Sequence, residues 1–112
     1  MSLIASLDHK RGNLINLTCD IEDEGQIAAA IDALADHAGR VDALINNAGL
    51  LHNGFFTEID VSAQERMITV NMLALTSLTH LYANDMASRG RGHILNVSSL
   101  AAWMPIPNQN VY

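Results

Sequence analysis

Cysteine is almost missing from this sequence. Cys19 stands alone among 112 residues, so an internal disulfide is impossible and a reducing compartment fits. Basic residues are scarce as well: six Lys and Arg face twelve Asp and Glu, for a net charge of −6. That balance argues against a phosphate-backbone binder, which needs clustered cations. No apolar run approaches the ~18 residues of a membrane span, and no charged-then-apolar leader opens the chain. Solenoid-length repeats and low-complexity tracts are absent. His9, His37, His52, His80 and His93 show no i, i+3 or i, i+4 pairing, so no metal site is expected. What is present is an apolar fraction of 49 %, enough for one small domain with a real core. The expectation is a soluble cytoplasmic protein with no nucleic-acid or membrane partner.

Apolar runs alternate with amphipathic stretches in a β-α-β-α-β order. Asn13 to Asp20 (NLINLTCD), after the break at Gly12, reads as a strand. Glu22 to Ala38 carries Ile27, Ala30, Ile31, Leu34 and Ala38 at helical spacing, with acidic residues at its start and Gly39 as a left-handed cap. Val41 to Ile45 is a second strand, followed by a loop to about Val61. Ser62 and Glu65 have capping-box spacing, and Met67, Val70, Ala74, Leu75, Leu78 and Leu81 then form one apolar face as far as Ser88. His93 to Ser98 is a third strand, and a loop with Pro105 and Pro107 runs to Tyr112. Strands alternating with helices imply an α/β class with parallel pairing.

Asn46-Asn47-Ala48-Gly49 lies directly after the second strand. Ligands of open parallel sheets bind beyond the carboxyl ends of strands. Small residues there admit a flat ring or ribose, and Asn amides can tie neighbouring strands; an ordinary turn uses the same residue types. Strand, NNAG, capped helix with Val70-Asn71 inside it, strand, Ser98-Ser99 and a tyrosine thirteen positions past Ser99 together resemble the classical short-chain dehydrogenase/reductase family. The resemblance covers the chain from about Asn13 onward.

That resemblance implies a partial doubly wound, Rossmann-like parallel sheet. Residues 1–112 would be the central part of a single NAD(P)-binding domain, with strands 3, 4 and 5 and the intervening helices. It implies an NAD(P)-dependent oxidoreductase that interconverts an alcohol and a ketone or aldehyde, with Asn71, Ser99 and Tyr112 as catalytic residues. Tyr112 would be the general acid/base and Ser99 a hydrogen-bond donor to the substrate oxygen. Asn71 would hold a relay water through a local irregularity of its helix. Asp20 matches the acidic residue that the family places beside the adenine ring. With Ile21, Asn47, Ala48, Gly49 and Tyr112, it makes up the implied cofactor-binding set. The helix over 63–88 is one that the family commonly uses to form homodimers or tetramers.

Bland alternatives stand beside several of these roles. Ser98 competes with Ser99, a strand-closing serine needs no catalytic role, and Asn71 could simply face solvent. His52 and Asn53 are loop residues that could reach a substrate. Met67, Met72 and Met86 suit helix packing, and Cys19 suits a buried strand. Trp103, Met104 and Ile106 suggest an apolar substrate wall or a loop staple. No G-x-x-x-G-x-G occurs in the sequence, and the lysine that the family places four residues after the tyrosine is absent from these 112 residues. NAD therefore cannot be told from NADP, and the chain by itself is expected to be inactive. The competing reading is a truncated, non-catalytic relative acting as a structural or interaction module. In the sheet order 3-2-1-4-5-6, strands 3 and 4 are not neighbours, so bare apolar faces are also expected.

Overall fold

A computed structural model describes residues 16–112. Residues 13–15 of the expected first strand lie outside the described residues. Residues 16–20 have no regular structure and join no ladder; the one sheet among the described residues pairs β1 (Ala43–Asn46) with β2 (His93–Asn96), leaving no strand to accept their backbone groups. They pass instead into a turn in which the Asp23 amide donates to the Asp20 carbonyl at 3.1 Å. The Glu22 amide donates to the Asp20 carboxylate at 3.0 Å, the local bonding that makes Asp a turn former.

Helix α1 spans Glu24–Ala38, two residues later than the pattern predicts. The shift has a cause. The Asp23 carboxylate accepts from the Gly25 and Gln26 amides at 2.8 and 3.1 Å, so Asp23 is the N-cap. Gly39 ends the helix at φ 69°, where its amide reaches the Ala35 carbonyl. Strand β1 (Ala43–Asn46) leads to a long loop and then to helix α2 (Val61–Ile68). Asp60, not Ser62, caps α2. Its carboxylate accepts from both the amide and the hydroxyl of Ser62, at 2.8 and 2.7 Å, which pulls the helix start forward to Val61. The same bonds hold the Asp60 carboxyl below its usual range.

The expected single helix is interrupted. Between α2 and α3 (Leu75–Ser88), residues Thr69–Ala74 take π-helical form. Thr69 opens that segment with its hydroxyl donating back to the Glu65 carbonyl at 3.1 Å, a competition with the backbone that bends helices. The segment's inner face is buried through Val70 and Ala74, and Met67 and Met86 complete the buried apolar set. Beyond α3, Gly92 is pressed against the Met86 side chain before strand β2 (His93–Asn96) begins.

The two strands pair in parallel, Ala43 with His93 through Asn46 with Asn96, and α3 packs against both. The ladder continues by one bond from the Val97 amide to the Asn46 carbonyl at 2.9 Å. Ile45 and Leu95, register partners on one face, are 62 % and 56 % exposed, so that face of the sheet is uncovered as expected. An apolar groove of about 450 Å³ lies between α1 and β1, lined among others by Ile27, Ile31, Leu34, Leu44, Ile45 and Leu78. A bidentate ion pair of Arg66 with Glu22, as short as 2.7 Å, ties the turn before α1 to α2. Hydrogen bonding to that guanidinium lowers the Glu22 pKa.

Candidate active site

The site is assembled where β1 and β2 end. Both strands finish in asparagine (ALIN and HILN), and the parallel register sets Asn46 opposite Asn96. Asn46 is buried, and its amide nitrogen donates to Asn96 Oδ1 at 2.8 Å and to Thr79 Oγ1 of α3 at 2.9 Å. One carboxamide therefore locks both strand ends to the helix behind them. The shared Leu/Ile-then-Asn ending of the two strands is a sequence signal for the Asn46–Asn96 pair, whereas the bond from Asn46 to Thr79 has none.

Asn71 sits inside the π-helical segment, as the expected irregularity requires, and it does not face solvent. Its Oδ1 accepts from the Leu50 amide and its Nδ2 donates to the Leu50 carbonyl, both at 2.8 Å. This pair of bonds pins the residue following Asn47-Ala48-Gly49 and so fixes the path of that loop. A Cβ built on Gly49 would meet only Asn71 Oδ1, at 3.8 Å. Nothing in the chain's own packing demands a glycine there, and the open floor suits the close approach of a flat ligand.

Asn47, Ala48, Gly49, Asn71, Ser98, Ser99 and Tyr112 all line one cavity of about 500 Å³, together with Met72, Leu75 and Asn96. Six of the eight residues expected to act or to bind cofactor are thus brought together. Ile21 stands close by: it shares a smaller recess of about 130 Å³ with Asn47 and Ala48. Asp20 is not among the residues lining these hollows. Its carboxylate is occupied by the Glu22 amide, and its own amide donates to Gln26 Oε1 at 3.0 Å.

Ser99 caps the short 3-10 turn Leu100–Ala102, its hydroxyl oxygen accepting from the Ala101 amide at 3.2 Å. That bond uses an oxygen lone pair and leaves the O–H proton free to donate. Tyr112 is 42 % exposed at the cavity's edge. Trp103 is 87 % exposed and does not line the cavity, so the expected apolar wall is supplied instead by Met72, Leu75, Val97 and Ala102. His52 is also elsewhere: its amide donates to Met67 Sδ at 3.3 Å, and its Nε2 is buried without a partner.

The cavity has small residues, Ala48 and Gly49, and the hydroxyl-bearing Ser98, Ser99 and Tyr112 in its lining. Among the described residues, no helix is long and apolar enough to cross a membrane. No three His, Cys, Asp or Glu side chains gather as metal ligands there either.

Known proteins are similar to this chain in sequence and in fold. The ketoacyl reductase HetN of Nostoc sp. is 34 % identical over 101 residues, which is 90 % of this chain and 35 % of that protein. Human 15-hydroxyprostaglandin dehydrogenase [NAD(+)] is 32 % identical over 99 residues, covering 86 % of this chain and 34 % of the enzyme. Among solved structures, a metagenomic short-chain oxidoreductase in complex with NADP matches with a TM-score of 0.76 and 34 % identity, over 84 % of this chain and 43 % of that one. A gluconate 5-dehydrogenase from Burkholderia cenocepacia, in complex with NADP and tartrate, matches with a TM-score of 0.74 and 27 % identity, over 83 % and 36 % of the two chains. The chain spans about a third of the length of the curated relatives it matches. The short chain dehydrogenase family model matches residues 1–112, and the chain belongs to that family.

Proposed function

We propose that residues 1–112 are the central part of a Rossmann-like domain in an NAD(P)-dependent oxidoreductase that interconverts an alcohol and a ketone or aldehyde. The observation that carries this reading is the single cavity shared by Asn71, Ser99, Tyr112 and the Asn47-Ala48-Gly49 floor. Its support from relatives is the NADP bound in two similar structures and the NAD(+) in the name of the prostaglandin enzyme. Nucleotide bound at this cavity would supply or accept the hydride. Asn47, Ala48 and Gly49 would hold its nicotinamide-ribose half, with Ile21 bordering the adjoining recess and Asp20 beside the adenine.

In the reducing direction, a carbonyl carbon that gained the hydride given up by a C–H bond of reduced nicotinamide would shift its C=O π pair onto oxygen, and that oxygen would need a proton. Tyr112 gives that oxygen its proton. Ser99 donates its free O–H to the same oxygen, where negative charge develops. Asn71 fixes the loop that floors the site through Leu50, and the π-helical turn around it would hold a relay water.

A small carbonyl or alcohol is the substrate class. The cytoplasm is the setting that a lone cysteine favours. The α2–α3 stretch, with Ile68, Leu73 and Leu81 exposed, is our candidate face for a homodimer or tetramer. The decisive experiment expresses the full reading frame that contains this chain and follows nicotinamide absorbance with a panel of ketones. Tyr112→Phe should lower turnover by about 10²-fold or more. Unchanged turnover would refute the acid/base assignment.

A further inference from the structure

The segment that carries the tyrosine is held in place at one point. From Ser98 to Tyr112 the chain has only the three-residue turn Leu100–Ala102 as regular structure. Most of its hydrogen bonds are local, such as the Gln109 amide to the Ile106 carbonyl at 3.2 Å. Among the described residues, two hydrogen bonds join it to distant parts of the chain, and both end on Gly54. The Gly54 amide donates to the Asn108 carbonyl at 3.0 Å, and Asn110 Nδ2 donates to the Gly54 carbonyl at 2.8 Å.

Both sides are shaped for this clasp. Asn108 takes φ 66°, a left-handed conformation that Asn tolerates better than most residues, and this reverses the chain between its carbonyl and the Asn110 side chain. Gly54 has φ 156°, and a Cβ on it would sit 3.2 Å from Ile59 Cγ1, so a side chain at that position would be strained and crowded. Gly54 itself belongs to the loop that Asn71 pins at Leu50. The clasp therefore couples the loop forming the cavity floor to the residue two positions before Tyr112.

We infer that Asn110 is a positioning residue for Tyr112, holding the phenol at the cavity through its bond to the Gly54 carbonyl. This rests on the acid/base role proposed above for the tyrosine. Proton transfer needs the donor within hydrogen-bond reach of the reacting oxygen. A segment without regular structure provides that only while its tether is closed.

The test uses the full-length protein with Asn110→Ala and Asn110→Asp. Asp keeps the shape but has no N–H to donate, and Asn110 is exposed, so both variants should fold. Both should lose about tenfold or more in kcat, with the dissociation constant for the nicotinamide nucleotide and the melting temperature little changed. Asn110→Gln, which restores an amide donor, should recover part of the loss. The inference is overturned if kcat stays within about twofold of wild type in both variants while Tyr112→Phe abolishes turnover. It is equally overturned if the losses track nucleotide affinity or melting temperature instead of kcat. Full turnover in Tyr112→Phe would overturn the tyrosine's role itself, and that result is separately visible.

Discussion

The carboxamide of Asn71 and the backbone of Leu50 bond to each other twice, each bond 2.8 Å long, across twenty-one positions of sequence. This orientation is forced: a flipped amide would set donor against donor and acceptor against acceptor. Asn71→Leu removes both bonds and strands two backbone groups that are partly buried. It should cost about 1–3 kcal/mol, read as a lower urea midpoint of the full-length protein, and should weaken nucleotide binding. An unchanged midpoint would show that water replaces the pair.

Asn46 serves two partners with one nitrogen, so its loss should outweigh the loss of either partner. Asn46→Leu buries apolar volume but leaves Asn96 Oδ1 and Thr79 Oγ1 without their donor, for a cost of about 1–3 kcal/mol. Thr79→Val, which removes one acceptor, should cost roughly 0.5–1.5 kcal/mol. Denaturation of both variants and of the double variant tests the order, and a larger loss in Thr79→Val would contradict it.

Ser98 and Ser99 both line the cavity, but only the Ser99 hydroxyl also accepts a backbone amide, which fixes its oxygen. Ser99→Ala should reduce kcat by about 10²–10³-fold, and Ser98→Ala by far less. The reverse ranking in steady-state rates would transfer the donor role to Ser98.

Gly92 is a packing requirement. A Cβ at that position would overlap the Met86 side chain, which is 5 % exposed and part of the buried set. Gly92→Ala should destabilise by about 1–3 kcal/mol. Adding Met86→Ala should recover part of that, because it removes Met86 Cγ and Sδ, the atoms that a Cβ at position 92 would overlap most closely. No recovery in the double variant would mean that backbone conformation at φ 156° is the main penalty.

Acid should weaken the fold at its helix starts. Side-chain bonding to Gln26 lowers the Asp23 pKa, and bonding to Ser62 lowers that of Asp60. A folded-state pKa below the ordinary value of 3.8 means that each carboxylate stabilises fully above that pH. The contribution is lost as pH falls through the folded value. Melting temperature should therefore decline on acidification, and less steeply in Asp23→Asn/Asp60→Asn, which keeps the cap acceptors without their charge. Identical slopes would remove these two groups as the cause.

Much of the architecture was legible without coordinates. Spacing of apolar residues located α1, the long helical stretch and both paired strands, because a helix or strand that must bury one face repeats its apolar residues with its own period. Boundaries moved where a side chain outside the pattern captured the first free amides, as Asp23 and Asp60 do. The expected first strand did not form over residues 16–20, since a strand exists only with a neighbour to bond and none is supplied among the described residues.

The sequence by itself determined the order of elements, the family resemblance and the residue types at the candidate site, all of which depend on local spacing. Tertiary structure decided which of those residues share a cavity, that Asn71 bonds Leu50, and that Gly54 holds the segment leading to Tyr112. Such bonds join positions far apart along the chain. No local period encodes them, and they become visible only when folding brings the partners within hydrogen-bond reach.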